Sequence, residues 1–254
     1  MSIKSWGGSL LVSLLLVAGC GGGGGGGSTG GNANTNGTPE GVYAGTLENT
    51  LVHNTFILDD ARIYSIYGEM SGDVFMVGGL LQGNGTANNG NFSSTNLREY
   101  SGDGSVVPWS LSASYQAGKS FSGALSDGMM SISFSGTAIT PDAYNYNAAA
   151  NLSNITGSWN LDSVPGAPVA MTIQSNGIFS ATSGGCSFSG MVTPRASGKN
   201  VFDVTLTYGA APCILAGQSA NGIAIEYPIG IQRQLIIATT TLGRDNGAVL
   251  LGAR

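Results

Sequence analysis

The chain has 254 residues and a formal net charge of −5, and only 9% of its side chains are charged, against ~25% in ordinary soluble domains. That length allows one large domain or two small ones, and the acidic balance offers no basic footprint, which excludes nucleic acid as a partner. With so few charges, a water-facing surface has to be built from Ser, Thr, Asn and Gly.

Lys4 gives the chain a short basic start, and Leu10 to Ala18 form an apolar core broken only by Ser13. This core is about half the ~20 residues a membrane-spanning helix needs, so it reads as a secretion signal. The stretch Val17-Ala18-Gly19-Cys20 resembles the lipobox of bacterial lipoproteins. The resemblance implies removal of residues 1–19 as a signal peptide, a diacylglyceryl group on the Cys20 thiol, and an acyl chain such as palmitate on the new amino terminus. Two or more chains anchor stably, at about 0.8 kcal/mol per buried methylene. Gly21 directly after the cysteine implies sorting to the outer membrane, with the periplasmic or cell-surface face left open. The alternative is an ordinary signal cut near Ala18, with Cys20 as a free thiol.

Residues 20–39 follow as a tether. Gly21 to Thr38 is almost wholly Gly, Ser, Asn and Thr and cannot bury enough apolar surface to fold. As a flexible coil it reaches roughly 25 Å on average and about 65 Å fully extended. A cysteine followed by polyglycine is similar to the start of some factor-H-binding surface lipoproteins.

Beyond the tether the chain is all-β. Helix formers are scarce and no stretch carries a helical apolar stripe, whereas period-two alternation is frequent. It is clearest at Val201 to Tyr208 and recurs at Leu111–Tyr115, Met130–Phe134 and Ile223–Tyr227. Compared with itself at an offset of about 110–116 residues, the chain shows an ordered series of weak matches. Gly41-Val42-Tyr43 faces Gly157-Ser158-Trp159, Ile63-Tyr64-Ser65 faces Ile178-Phe179-Ser180, and Asn91-Phe92-Ser93 faces Val201-Phe202-Asp203. This predicts two tandem modules, 40–138 and 155–254, joined by a linker at 139–154 that carries Tyr144 and Tyr146. Turn signals at Ser71-Gly72-Asp73, Asn84-Gly85, Asn89-Gly90, Asp127-Gly128, Asn176-Gly177, Ser197-Gly198, Asn221-Gly222 and Asn246-Gly247 favour tight antiparallel hairpins. Closing such meanders removes exposed edges, so the expected architecture is two small antiparallel β-barrels or sandwich-like modules.

Charge is uneven: residues 41–138 carry three basic and eight acidic side chains, and residues 155–254 carry five and four. The acidic half suits a cation, a basic partner or merely a solvated face. Cys186 and Cys213 form an even pair in an oxidising compartment and read as a disulfide, since two thiols without a nearby histidine make a poor zinc set. Catalytic signals are lacking. His53, the single histidine, sits beside Asn54 in what reads as a polar turn, no serine has an evident base, and Asp59-Asp60 would point to opposite faces of a strand. The Gly/Asn run at 83–91 lacks the acidic ligands calcium requires. No metal, cofactor or catalytic residue is assigned, and no enzyme activity is expected.

Gly157-Ser158-Trp159-Asn160-Leu161, Ser175-Asn176-Gly177 and Gly184-Gly185-Cys186-Ser187-Phe188-Ser189-Gly190 resemble the META-type lipoprotein domain, with Ser187 where that family usually has Asn. The tether-and-barrel layout is similar to the transferrin-binding and factor-H-binding surface lipoproteins. These resemblances imply a non-catalytic binding or surface-interaction module of the cell envelope, with a protein, glycan or small-molecule ligand. A periplasmic small-ligand carrier or a structural envelope lipoprotein is the alternative.

Overall fold

The computed structural model describes residues 37–48, 50–72, 74–164 and 166–254. Residues 1–36, and with them Cys20 and the glycine run, lie outside the described residues.

Nine strands form the first sheet: β1 (Gly41–Leu47), β2 (Leu51–Ile57), β3 (Arg62–Ser71), β4 (Val74–Asn84), β5 (Thr86–Asn88), β6 (Asn91–Ser101), β7 (Val106–Gln116), β8 (Ser120–Ser126) and β9 (Ser131–Ala138). Sequence neighbours pair antiparallel, β9 returns to β1, and β4 pairs with β6. Eight strands thus close a ring, and short β5 prolongs β4 along β6. A second closed barrel follows: β10 (Gly157–Ser163), β11 (Pro168–Ile173), β12 (Ile178–Ser183), β13 (Cys186–Pro194), β14 (Phe202–Tyr208), β15 (Ser219–Ile229), β16 (Gln232–Thr241) and β17 (Gly247–Ala253). The segments matched by internal comparison fall at the starts of equivalent strands, β1 with β10, β3 with β12 and β6 with β14. Closure into rings decides between barrels and sandwiches.

An up-and-down ring with an even number of strands brings the chain out where it went in. Residues 37–40, the connector between β9 and β10, and Arg254 therefore share one end of the molecule, the entry end. The turns after β1, β3, β6 and β8, and those after β10, β12, β14 and β16, form the far end.

The interiors are apolar, with Tyr43, Phe92, Trp109, Tyr115 and Phe121 in the first barrel and Trp159, Phe179, Phe188, Phe202 and Leu235 in the second. Each such side chain contributes roughly 1.5–3 kcal/mol on burial. The outer wall of the second barrel carries a row of hydroxyls. Ser158, Thr172, Ser180, Ser189, Thr207 and Ser219 stand in register across six consecutive strands. In the first barrel Asn91, Ser114, Ser122, Ser135 and Thr46 form a similar row. Hydroxyls thus do the work that charges do elsewhere. Apolar inside and hydroxyl outside is the reverse of a membrane-spanning barrel. Among the described residues no helix is long and apolar enough to cross a membrane.

Two expected turns are absent. Asn221-Gly222 lies within β15, where a Cβ on Gly222 would sit 1.9 Å from the Ala238 carbonyl oxygen of β16. That glycine serves a close strand approach. Asn84-Gly85 is the junction of β4 and β5, and the chain reverses at Asn89-Gly90, whose φ angles of 48° and 79° suit a tight hairpin turn.

The outer faces of the barrels also meet. Val42, Phe56, Tyr64, Ile66 and Leu80 pack against Ile223, Ile225, Ala238, Val249 and Leu251, with Tyr144 and Tyr146 of the connector buried between them. Over Gly222–Glu226 of β15 and the facing part of β16 both faces are therefore covered, one toward the barrel interior and one toward its neighbour.

Candidate functional site

His53 is not in a polar turn. It lies in β2 inside the first barrel, 2% exposed. The Ser135 carbonyl, 3.0 Å away, can only accept, so Nε2 carries the hydrogen. Nδ1 then accepts from the Thr55 hydroxyl at 2.9 Å, and Thr55 Oγ1 accepts from Ser65 at 2.7 Å. Burial pushes the imidazole pKa down, opposed by the Ser135 hydrogen bond, so His53 is a neutral, fully bonded core residue. The void around it is about 20 Å³ and that between the barrels about 30 Å³, room for little more than a water.

Two clasps join the barrels. Arg195, at the entry end of the second, reaches Asp59 at 2.5 Å, Asp60 at 2.8 Å and its own barrel's Asp203 at 2.6 Å. Arg62 adds contacts to Asp60 at 2.8 Å and Asp203 at 3.4 Å. Burial alone would raise the carboxyls of Asp59 and Asp60, but Arg195 overrides it and holds both below the usual range, with Arg62 adding to the effect on Asp60. Nearer the far end, Arg244 donates to the carbonyls of Gln82 and Asn96, both at 2.8 Å, while its own carbonyl accepts from Tyr100 and Arg98, each at 3.2 Å. The sequence named no role for these arginines, because their partners on the other barrel lie more than a hundred residues away.

Cys186, which opens β13, and Cys213 are joined by a disulfide. The bond pins the long connection between β14 and β15, and it leaves Ile214 97% exposed at the far end. That exposure is part of a pattern. Among the described residues eight large apolar side chains are exposed. Ile178 and Met191 lie on the second barrel's wall and Ile231 at its entry end. The other five, Met76, Met129, Met130, Ile214 and Leu242, are all at the far end.

Far-end loops of the first barrel are built rather than slack. Asp127 Oδ1 accepts from the Met129 and Met130 N–H groups, both at 2.8 Å, and Asp103 accepts from Ser105 N–H at 2.9 Å. Backbone donors, Met130 N–H first at Asp127 and Ser105 N–H at Asp103, hold both carboxyls below the usual range. Inside the mouth, Glu99 accepts from Tyr67 and, at 2.8 Å, from Trp109 Nε1. Burial and this carboxylate push the Tyr67 hydroxyl pKa up. The methionine–carboxylate grouping escaped sequence reading because it assembles from four separate turns.

Residues 37–40 mark where the preceding segment joins the first barrel, well away from these loops. The Pro39 carbonyl accepts from Tyr43 at 2.9 Å, and Glu40 pairs with Lys199 at 2.8 Å. A seven-residue strand separates them from the far end by roughly 20 Å.

No protein-family profile and no curated protein matches the chain. Among solved structures it is similar to isotype 1 transferrin binding protein B from serogroup B Neisseria meningitidis, with a TM-score of 0.24 and 9% identity, over 81% of this chain and 65% of that one. The chain thus spans about 65% of the length of that structure.

Proposed function

We propose that the chain is an outer-membrane lipoprotein, anchored by acyl chains on Cys20, whose barrels form a non-catalytic interaction module. In this reading residues 1–19 are the signal peptide, 20–39 the tether, and 40–138 and 155–254 the two modules joined by 139–154. The observation that carries it is polarity: residues 37–40 join at the entry end, whereas five of the eight exposed large apolar side chains gather at the opposite one. Exposed apolar groups of this kind mark contact surfaces. The voids inside the first barrel and between the barrels hold little more than a water, which favours contact through loops over carriage of a ligand at either place. The larger concavities, about 660 and 550 Å³, are open ones on the second barrel.

Replacement Cys20→Ser is expected to release the protein from the membrane fraction, and a variant that stays tightly bound overturns the anchor. Protease shaving of intact cells, with a periplasmic protein as control, then decides orientation. Loss of the barrels while the control survives means cell-surface display. Protection until the outer membrane is permeabilised means that the far end works in the periplasm.

A further inference from the structure

We infer that the far end of the first barrel is a docking surface for a protein partner presenting lysine or arginine side chains around an apolar patch. This rests on the interaction-module reading and adds the chemistry of the partner. Met129, Met130 and Met76, exposed by 95%, 56% and 54%, supply the apolar part. Methionine is unbranched and polarisable and adapts to varied contacts. Asp127 fixes the turn that presents two of the three, so little ordering entropy is lost on contact. Met76 and its cross-strand neighbour Glu69 lie across the ring from Met129 and Met130. Glu48 and Asp103 stand exposed on the turns between them, with Asp127 half-buried, and the turns after β1, β3, β6 and β8 contain no lysine or arginine.

Charge chooses the occupant. An anionic lipid surface repels these carboxylates. A second copy of this chain carries a net charge of −5, and its exposed Arg98, Lys119 and Arg254 are spread over separate elements rather than grouped. Arg62 and Arg195 are engaged with carboxylates, Arg244 with barrel carbonyls, Arg233 with Glu226, and Lys199 with Glu40. A basic protein surface supplies both the apolar contact and the missing charge, with the carboxylate rim steering its approach.

The test titrates the full chain with three probes: a synthetic amphipathic helix of leucine and lysine, the same helix with glutamate for lysine, and vesicles of phosphatidylcholine and phosphatidylglycerol. Each is measured against wild type, Met129→Ser/Met130→Ser and Glu48→Gln/Asp103→Asn. The lysine helix is expected to bind wild type, to weaken about tenfold in either variant, and to weaken further between about 50 and 300 mM salt as screening increases. Binding of the lysine helix that ignores both variants, or no binding at all, overturns the inference. If the glutamate helix or the vesicles bind instead and are lost with the methionines, the partner chemistry is wrong while the interaction-module reading stands.

Discussion

Tyr43 in β1 and Trp159 in β10 hold the same place in the two barrels, and each donates its polar hydrogen to the backbone carbonyl four residues upstream. Tyr43 Oη reaches Pro39 at 2.9 Å and Trp159 Nε1 reaches Ile155 at 2.7 Å. The rings fill the barrel floors, and the bonds tie the incoming chain to them. Trp159 is further covered by the Arg254 guanidinium, 4.0 Å from its ring centre. Tyr43→Phe, which removes only a hydrogen bond, is expected to cost about 1 kcal/mol. Trp159→Ala removes the ring as well and is expected to cost about 3–5 kcal/mol. Urea titration of the full chain gives both values.

Arg195 is the charge on which three carboxylates depend. Arg195→Met keeps the stem and leaves Asp59, Asp60 and Asp203 facing one another. Since those carboxylates are each about a third or more exposed, the expected loss is about 2 kcal/mol, below the 3–5 typical of a fully buried pair. The folded pKa values of Asp59 and Asp60 are depressed. Their contribution is therefore present above the unfolded value near ~3.9 and is lost as pH falls through the folded values. The stability gap between wild type and variant should narrow on going from about pH 6 to about pH 3, and a constant gap would show that the cluster is not ionic in origin.

His53 acts in a different pH window. Its folded pKa lies below the ordinary ~6.5, so below that pH the unfolded chain takes up a proton that the barrel refuses. Stability should fall by up to ~1.4 kcal/mol per pH unit from about 6.5 down to the folded pKa. His53→Leu is less stable at neutral pH, because the Ser135 carbonyl and Thr55 lose their partner, but its melting temperature should be flat between about pH 7 and pH 5. Equal slopes for both proteins would refute the assignment of a neutral core histidine.

The disulfide closes a loop with a sequence separation of 27. Cys186→Ser/Cys213→Ser is expected to lower stability by about 3–4 kcal/mol on the chain-entropy estimate. It should also open the connection carrying Ile214 to chymotrypsin before the rest of the second barrel is cut.

Much of this architecture is legible from side-chain alternation. Val201–Tyr208 is read as a strand because Phe202, Val204 and Leu206 face a core while Thr205 and Thr207 face water, and β14 keeps that division. The same pattern at Ile223–Tyr227 hides a different arrangement, since the alternate face holds Ala220, Ala224 and Glu226 and is buried too. Alternation reports a difference between two faces, and over Gly222–Glu226 β15 has solvent on neither. Asn-Gly was a sound turn signal at residues 89–90 and a false one at 221–222, where a neighbouring carbonyl set the need for glycine. His53 reads as a loop residue from its polar neighbours in sequence, while its partner Ser135 lies on β9, two strands away past β1.

The sequence by itself determined the all-β class, the tandem pair of modules, and a surface made from hydroxyls, because each follows from local alternation and composition. Tertiary structure alone decided that the rings close, that Arg195 and Arg244 clasp them together, and that methionines and carboxylates from separate turns share one end. Those features depend on residues brought together across long stretches of chain by strand register and barrel closure, a geometry that no local window of sequence contains.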